Sequence, residues 1–193
     1  DLISKQATNL GAGLLSGFIY GTTARAGKIY GSGSGMSSIR VLNLDGSDAG
    51  TIASPNGSNL RSTAFGPEGD LYLSSFTGGP VQRWTPGVVY DKAFGGGGLA
   101  TAFGVATRAN GDVLVAGQDQ AAYYVFAKDG AYKKKVAVPC GGQVRNLATD
   151  CQGSVYAACY EAGKVVRFDA SDAVSGEVAV TTPAGVAVLP ALP

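Results

Sequence analysis

The stretch ANGDVLVAG at residues 109–117 places a tight turn at Gly111 directly before a short run of apolar residues. A run of this kind after a glycine turn is typical of a β-strand. Three other stretches align with it without a gap: RAGKIYGSG at 25–33, PEGDLYLSS at 67–75 and CQGSVYAAC at 151–159. The turn glycines therefore recur every 42 residues, at Gly27, Gly69, Gly111 and Gly153. A fixed period of this length indicates a repeat architecture.

Each repeat holds four short apolar runs, and none of them has the 3.6-residue period of a helix. A second run opens at Ile39, Val81, Tyr123 and Val165, and a third includes Ile52, Phe94, Val136 and Val178. A further run precedes each turn: GFIYGTT, LRSTAFG, FGVATRA and RNLATDC. Four strands in about 40–45 residues form one blade of a β-propeller. The alternative is a β-sandwich with accidental spacing.

The sequence thus predicts an all-β fold, a β-propeller formed by residues 1–193 as a single domain. Its four complete, four-stranded blades are expected at about 17–55, 58–98, 101–140 and 143–182. Two partial flanking strands remain, at about 7–12 and 185–191.

The repeats resemble the NHL repeat, a family of β-propeller units. The resemblance lies in GVATRANGDVLVAGQDQAAYYVFAKDGAY at 104–132 and RNLATDCQGSVYAACYEAGKVVRFDASD at 145–172. NHL-like propellers include protein- and RNA-binding modules, gluconolactonase-type hydrolases and streptogramin lyases. The resemblance therefore implies the fold and leaves the function open. Six blades are usual in that group, as the resemblance implies.

The two flanking strands cannot pair with each other, because the two middle strands of a blade belong between them. An open arc would leave apolar blade faces in water. We therefore expect a protein partner, or self-association, to complete the propeller. The alternative is a compact four-bladed ring whose ends pack irregularly.

Composition excludes several partner classes. The formal net charge is +1, which predicts no attraction to nucleic acid. No apolar stretch reaches the roughly 18 residues of a membrane span, so no membrane insertion is expected. The chain contains no histidine, the commonest general base and metal ligand. A streptogramin-lyase-like mechanism relies on a histidine, as that resemblance implies.

Polar residues on the innermost strands and on nearby loops are expected to converge on one mouth of the channel. Such convergence is the default expectation for a ligand site. The candidate ligand-binding residues are Asn59, Arg61, Asp119, Gln143, Arg145 and Glu161. The alternative is that the two arginines pair with Asp119 and Glu161 to satisfy a polar channel.

These residues favour a non-enzymatic binding or structural propeller without cofactor or catalytic residues. The alternative function is a metal-assisted hydrolase of the gluconolactonase type, with Ca²⁺ as the candidate ion. Oxygen ligands for that ion could come from Asn59, Asp119, Asn146 and Glu161. Two arginines at the same mouth would repel a cation, so no metal site is predicted.

The acidic residues near the turns and the cysteines are expected to have structural roles. Six acidic residues are interpreted as turn formers: Glu68, Asp70, Asp112, Asp129, Asp150 and Asp169. A disulfide, if one forms, joins Cys140 to Cys159 and leaves Cys151 free, because eight residues of strand separate Cys151 from Cys159 by about 26 Å. The odd number of cysteines leaves the compartment open, with an extracellular, cell-surface or virion-associated location favoured over the cytoplasm.

Overall fold

The computed structural model describes residues 18–76 and 81–188. Within these ranges every regular element is a strand, in four four-stranded antiparallel sheets. Blade 1 comprises β1 (Ile19–Arg25), β2 (Lys28–Gly33), β3 (Ser38–Asn43) and β4 (Asp48–Ala53). Blade 2 comprises β5 (Leu60–Phe65), β6 (Leu71–Ser75), β7 (Val81–Trp84) and β8 (Tyr90–Phe94). Blade 3 comprises β9 (Ala102–Thr107), β10 (Val113–Gly117), β11 (Ala122–Phe126) and β12 (Tyr132–Ala137). Blade 4 comprises β13 (Val144–Thr149), β14 (Val155–Cys159), β15 (Lys164–Phe168) and β16 (Val174–Ala179).

The blades are arranged in a ring with their first strands innermost, and the predicted β-propeller is confirmed. Neighbouring strands pair in chain order within each blade. In the part of the chain that the structure describes, no helix has the length and apolar character needed to cross a membrane.

The 42-residue period reappears in the turns and in the contacts between blades. The repeat glycines all have positive φ, between 73° at Gly27 and 100° at Gly69, a region that side chains disfavour. Thr107 Oγ1 donates to the Phe65 carbonyl, and Thr149 Oγ1 donates to the Thr107 carbonyl, each at 2.7 Å. The same hydrogen bond thus joins blade 3 to blade 2 and blade 4 to blade 3.

Three apolar clusters hold successive blades together. The first joins Tyr30, Ile39 and Val41 of blade 1 to Leu60, Leu71, Leu73 and Trp84 of blade 2. The second joins blades 2 and 3 around Tyr72 and Phe126, and the third joins blades 3 and 4 around Tyr123 and Phe168. Burying one such side chain stabilises the fold by roughly 1.5–3 kcal/mol.

Blades 1 and 4 are not joined by an apolar cluster of this kind among residues 18–76 and 81–188. The flanking strand predicted at 7–12 lies outside the described residues. The strand predicted at 185–191 is not formed over 185–188, which are irregular, while 189–191 lie outside. No described strand pairs with this segment, and Pro183 just before it has no N–H for a ladder hydrogen bond.

A disulfide joins Cys140 to Cys159 with a Cα–Cα distance of 5.3 Å. Cys140 lies before β13, and the antiparallel register places Val144 opposite Cys159, which brings the two cysteines to the same end of blade 4. Cys151 is exposed and free. The sequence predicts the same pairing, from the length of strand that separates Cys151 from Cys159.

Candidate functional site

A β-bulge interrupts each of the four innermost strands near its start. In β1 the register with β2 shifts between Ile19 and Gly21, and in β13 the register with β14 shifts between Val144 and Asn146. The shift in β5 lies between Leu60 and Thr63, and β9 has one between Ala102 and Val105. Bulges redirect side chains and are common beside binding sites. The residues at these bulges include Tyr20, Arg61, Phe103 and Arg145.

These four residues, the mouth cluster, meet at one end of the channel. The rings of Tyr20 and Phe103 lie edge to face with centroids 5.3 Å apart. The Arg61 guanidinium carbon lies 4.7 Å from the Tyr20 centroid and 5.2 Å from that of Phe103. The Arg145 guanidinium carbon lies 5.8 Å from the Phe103 centroid. Cation–π attraction at these distances contributes about 0.5–2 kcal/mol for each contact.

A second layer of side chains surrounds the two guanidinium groups. Phe76 lies 5.1 Å from the Arg61 guanidinium carbon, and Tyr160 lies 3.4 Å from that of Arg145. Arg145 Nε donates to Gln143 Oε1 at 3.1 Å. Phe76 is 37% exposed and Arg145 is half-buried, so this layer borders solvent.

Arg61 is a buried charge whose Nε and Nη1 have no polar partner within residues 18–76 and 81–188. It is 9% exposed, and its Nε and Nη1 atoms are buried without a hydrogen bond. Burial lowers the pKa of this guanidinium, the neighbouring Tyr20 raises it, and the like charge of Arg145 lowers it again. Leaving buried donors unpaired costs free energy that aromatic contacts offset only in part.

The expected pairing of the arginines with Asp119 and Glu161 is not formed. Aromatic rings occupy the faces of both guanidinium groups, and both acids are exposed on loops. The Glu161 carboxylate occupies the space that a Cβ at Gly142 would fill. Arg61 and Arg145 therefore have no ion pair with a carboxylate in the described ranges.

The amide candidates divide between two roles. Gln143 supports Arg145, as described above. Asn59 has a left-handed backbone (φ 58°), and its Oδ1 accepts from Ser34 Oγ at 3.2 Å and from Gly35 N at 3.1 Å. Asn59 therefore holds the loop between β2 and β3 of the neighbouring blade.

A cavity of about 430 Å³ follows the mouth cluster along the channel. All four innermost strands line it, together with Gly185, Val186 and Ala187. Thr63 and Asn146 supply polar groups to its wall, and the buried Thr63 Oγ1 has no hydrogen-bond partner. Tyr20 belongs both to this wall and to the mouth cluster.

The candidate calcium ligands are not gathered into one site. Asn59 is committed to Ser34 and Gly35, Asn146 lines the cavity, and both acids are exposed. Among the residues that the structure describes, no group of three or more acidic or cysteine side chains could hold a metal ion. The mouth instead presents two cations.

The opposite end of blade 3 carries a buried ionic network that the sequence analysis did not find. Arg108 and Lys134 pair with Asp172, and the Tyr123 hydroxyl donates to the same carboxylate. Burial alone would raise the pKa of Asp172, but hydrogen bonds from Arg108, Lys134 and Tyr123 outweigh it and lower the pKa to about 2. Burial also raises the pKa of Tyr123 far above its ordinary value, as does the Asp172 carboxylate.

The turn acids fall into two groups. Asp129, Asp150 and Asp169 accept hydrogen bonds from backbone N–H groups two residues further along, as turn formers do. Glu68, Asp70 and Asp112 instead pair with cations: Lys128, Arg83 and Lys133 respectively. Their turn-forming interpretation was incomplete, because a cation from the same blade reaches Asp70 and Asp112 and one from the next blade reaches Glu68.

No protein-family model and no curated protein matches the chain. The chain is similar in structure to a streptogramin B lyase, with a TM-score of 0.72 and 14% identity over 86% of this chain and 56% of that one. It is also similar to a catalytically inactive histidine-to-alanine variant of virginiamycin B lyase from Staphylococcus aureus with quinupristin. There the TM-score is 0.70 and the identity 18%, over 86% and 57% of the two chains.

A chain of the nidogen/laminin complex is similar as well, with a TM-score of 0.75 and 13% identity over 89% of this chain and 68% of that one. The protein is thus a β-propeller. It spans little more than half the length of the lyases that it matches. At these identities the likeness shows the fold alone.

Proposed function

We propose that the protein is a non-enzymatic binding propeller whose ligand occupies the mouth of the channel at Arg61 and Arg145. The observation that carries the proposal is the buried Arg61 guanidinium, whose Nε and Nη1 have no partner. Buried polar groups in native proteins are nearly always satisfied, so an unsatisfied one in a channel calls for an explanation. A ligand that completes its hydrogen bonds is the explanation that the position favours.

The residue types at the mouth support binding rather than catalysis. The mouth cluster offers aromatic rings and guanidinium groups, and the chain has no histidine. Two cations there disfavour the Ca²⁺ site of a gluconolactonase-type hydrolase. The lyase variant named above is inactive without one histidine, a residue that this chain cannot supply.

We propose in addition that a second copy of the chain covers the outer face of blade 4. Tyr156, Val165 and Val178 line a groove of about 210 Å³ on the face opposite the cluster shared with blade 3, together with the charged residues Arg167 and Glu177. Val178 is 64% exposed there. Exposed apolar residues around such a groove favour an interface.

Solution NMR tests the proposed binding site with four small aromatic probes: benzoate, phenyl phosphate, benzamide and benzylamine. We expect at least one of them to shift the backbone amides around Arg61 and Arg145 in a saturable way. The amides around Arg25, an exposed arginine that lies over the Phe65 ring, serve as the internal control. Shifts confined to residues away from the mouth would reject it as the binding site.

A further inference from the structure

We infer that the mouth cluster selects an anionic oxygen group, a carboxylate or a phosphate monoester, and binds it between Arg61 and Arg145. This inference rests on the proposed function, since it specifies the ligand class of the same site. Guanidinium groups bind such anions through strong, charge-assisted hydrogen bonds. The two arginines lie near the same ring, Phe103, from different strands, with guanidinium carbons 5.2 Å and 5.8 Å from its centroid, and the charge of Arg145 acts on Arg61.

Arg61 differs in its hydrogen bonding from the other six of the chain's seven arginines. The other six each donate at least one hydrogen bond: Arg25, Arg40, Arg83, Arg108, Arg145 and Arg167. Arg108 is the closest match in burial, at 8% exposed against 9% for Arg61. Arg108 contacts the buried carboxylate of Asp172, whereas Arg61 contacts none. Arg61 is as buried as Arg108 but has no carboxylate beside it among the described residues. This difference indicates that a ligand supplies the anion at Arg61.

Aromatic contacts alone do not account for this arrangement. The rings of Tyr20, Phe76 and Phe103 lie close to the guanidinium, but its Nε and Nη1 donors find no acceptor. Arg145 adds a like charge that a purely structural cluster would avoid. An anion would relieve both the unpaired donors and the repulsion, and its attraction to Arg61 is strong because that guanidinium is buried.

In the part of the chain that the structure describes, no carboxylate at the rim competes with an anion for the guanidinium groups. Asp119 and Glu161 are exposed and pair with neither arginine. Gln143 occupies Arg145 Nε only, which leaves the terminal nitrogens of that half-buried side chain for a ligand. A cationic ligand would meet two like charges, and a neutral amide could not neutralise either of them.

The test is calorimetric titration of the full chain with benzoate, phenyl phosphate and their neutral analogue benzamide. We expect benzoate or phenyl phosphate to bind and benzamide to bind at least about tenfold more weakly. Comparing the two anions identifies the source of the anionic group, because either one alone satisfies the inference. Arg61→Met and Arg145→Met should each weaken the bound anion about tenfold or more, and Arg61→Lys should weaken it less than Arg61→Met.

Arg25→Met is the matched control, because it removes an exposed arginine that also lies over an aromatic ring, that of Phe65, and it should leave anion affinity within about twofold. The Lys variant keeps the test informative if the Met variants fold poorly. Benzamide binding at the mouth as tightly as benzoate would overturn the anion inference and leave the proposed binding site standing. Failure of both anions to bind, or unchanged affinity in Arg61→Met, would also overturn it.

Discussion

Arg61 and Arg145 lie two repeats apart, and their guanidinium groups contact the same aromatic ring, that of Phe103. Each residue is at the β-bulge of its inner strand, so the fold itself turns both charges towards the channel mouth. The position is costly in the absence of a ligand, because Arg61 is buried and none of the described residues offers it a carboxylate. The effect of removing that charge on stability is therefore informative.

Arg61→Met should leave the free energy of unfolding unchanged or raise it by up to about 2 kcal/mol, because it removes an uncompensated buried charge while methionine still packs against the rings. Urea denaturation of both proteins measures the difference. The matched control is Arg108→Met, which has the same burial but leaves the Asp172 carboxylate behind, and it should cost about 3–5 kcal/mol. A loss above about 2 kcal/mol in Arg61→Met would mean that cation–π contacts hold the mouth together.

Asp172→Asn should destabilise the protein by about 3–5 kcal/mol at neutral pH, because it leaves Arg108 buried without its charged partner. Asparagine has the same shape and tolerates the left-handed backbone of this position (φ 69°), so the change tests charge rather than strain. Asp91→Asn is the control: Asp91 also pairs with an arginine, Arg83, but is 32% exposed and should cost about 0–1 kcal/mol. Equal losses in the two variants would contradict a buried role for Asp172.

Acid should lower the free energy of unfolding, in part by protonating Asp172. Its pKa is lowered to about 2 in the folded protein, against about 3.9 in the unfolded chain, so its stabilisation is complete above that higher value. The stabilisation is lost as the pH falls through about 4 to 2. We expect the difference in unfolding free energy between the wild type and Asp172→Asn to shrink over this window. Asp150 and Asp169 also have lowered pKa values, so the variant should retain some acid sensitivity.

The sequence predicted the fold well because the repeat determines it. Four aligned glycine turns and three aligned apolar runs identify the blade, and the structure confirms the propeller. The expected strand is not formed over 185–188, because a flanking run forms a strand only where a neighbouring strand offers hydrogen-bond partners. A periodic sequence pattern indicates that a segment prefers the strand conformation. It does not show whether a partner strand is present.

The candidate site was predicted in part. Spacing identified Arg61 and Arg145, but their aromatic surroundings were missed, although Phe103 lies 42 residues from each of them and could have been included. Tyr20 could not be found from the 42-residue repeat. It lies one residue away from the position equivalent to Arg61, because of the bulge in β1. The Arg108–Asp172 pair was also missed, since its members lie in different blades and no period relates them.

Reducing the disulfide should lower the free energy of unfolding by about 3 kcal/mol, because the bond closes a loop with a sequence separation of 19 residues. Urea denaturation with and without a phosphine reductant measures the change. Cys151→Ala should show the same dependence on reductant as the wild type, since Cys151 is free and exposed. A Cys140→Ala/Cys159→Ala variant should be insensitive to reductant, and a retained sensitivity would place the bond elsewhere.

The outer face of blade 4 should join two copies of the chain. If a second copy covers this face, the purified chain should exceed its monomer mass of 19.4 kDa in multi-angle light scattering. Val178→Lys should restore the monomer, because it replaces the apolar surface beside Val165 with a positive charge, next to that of Arg167. Val174→Lys is the matched control, since Val174 is on the same strand, is 54% exposed and pairs with Phe168 on the other face. It should leave the assembly intact. A wild-type chain that remains monomeric at every concentration, without binding a dye for apolar surface, would show that the propeller needs no second copy.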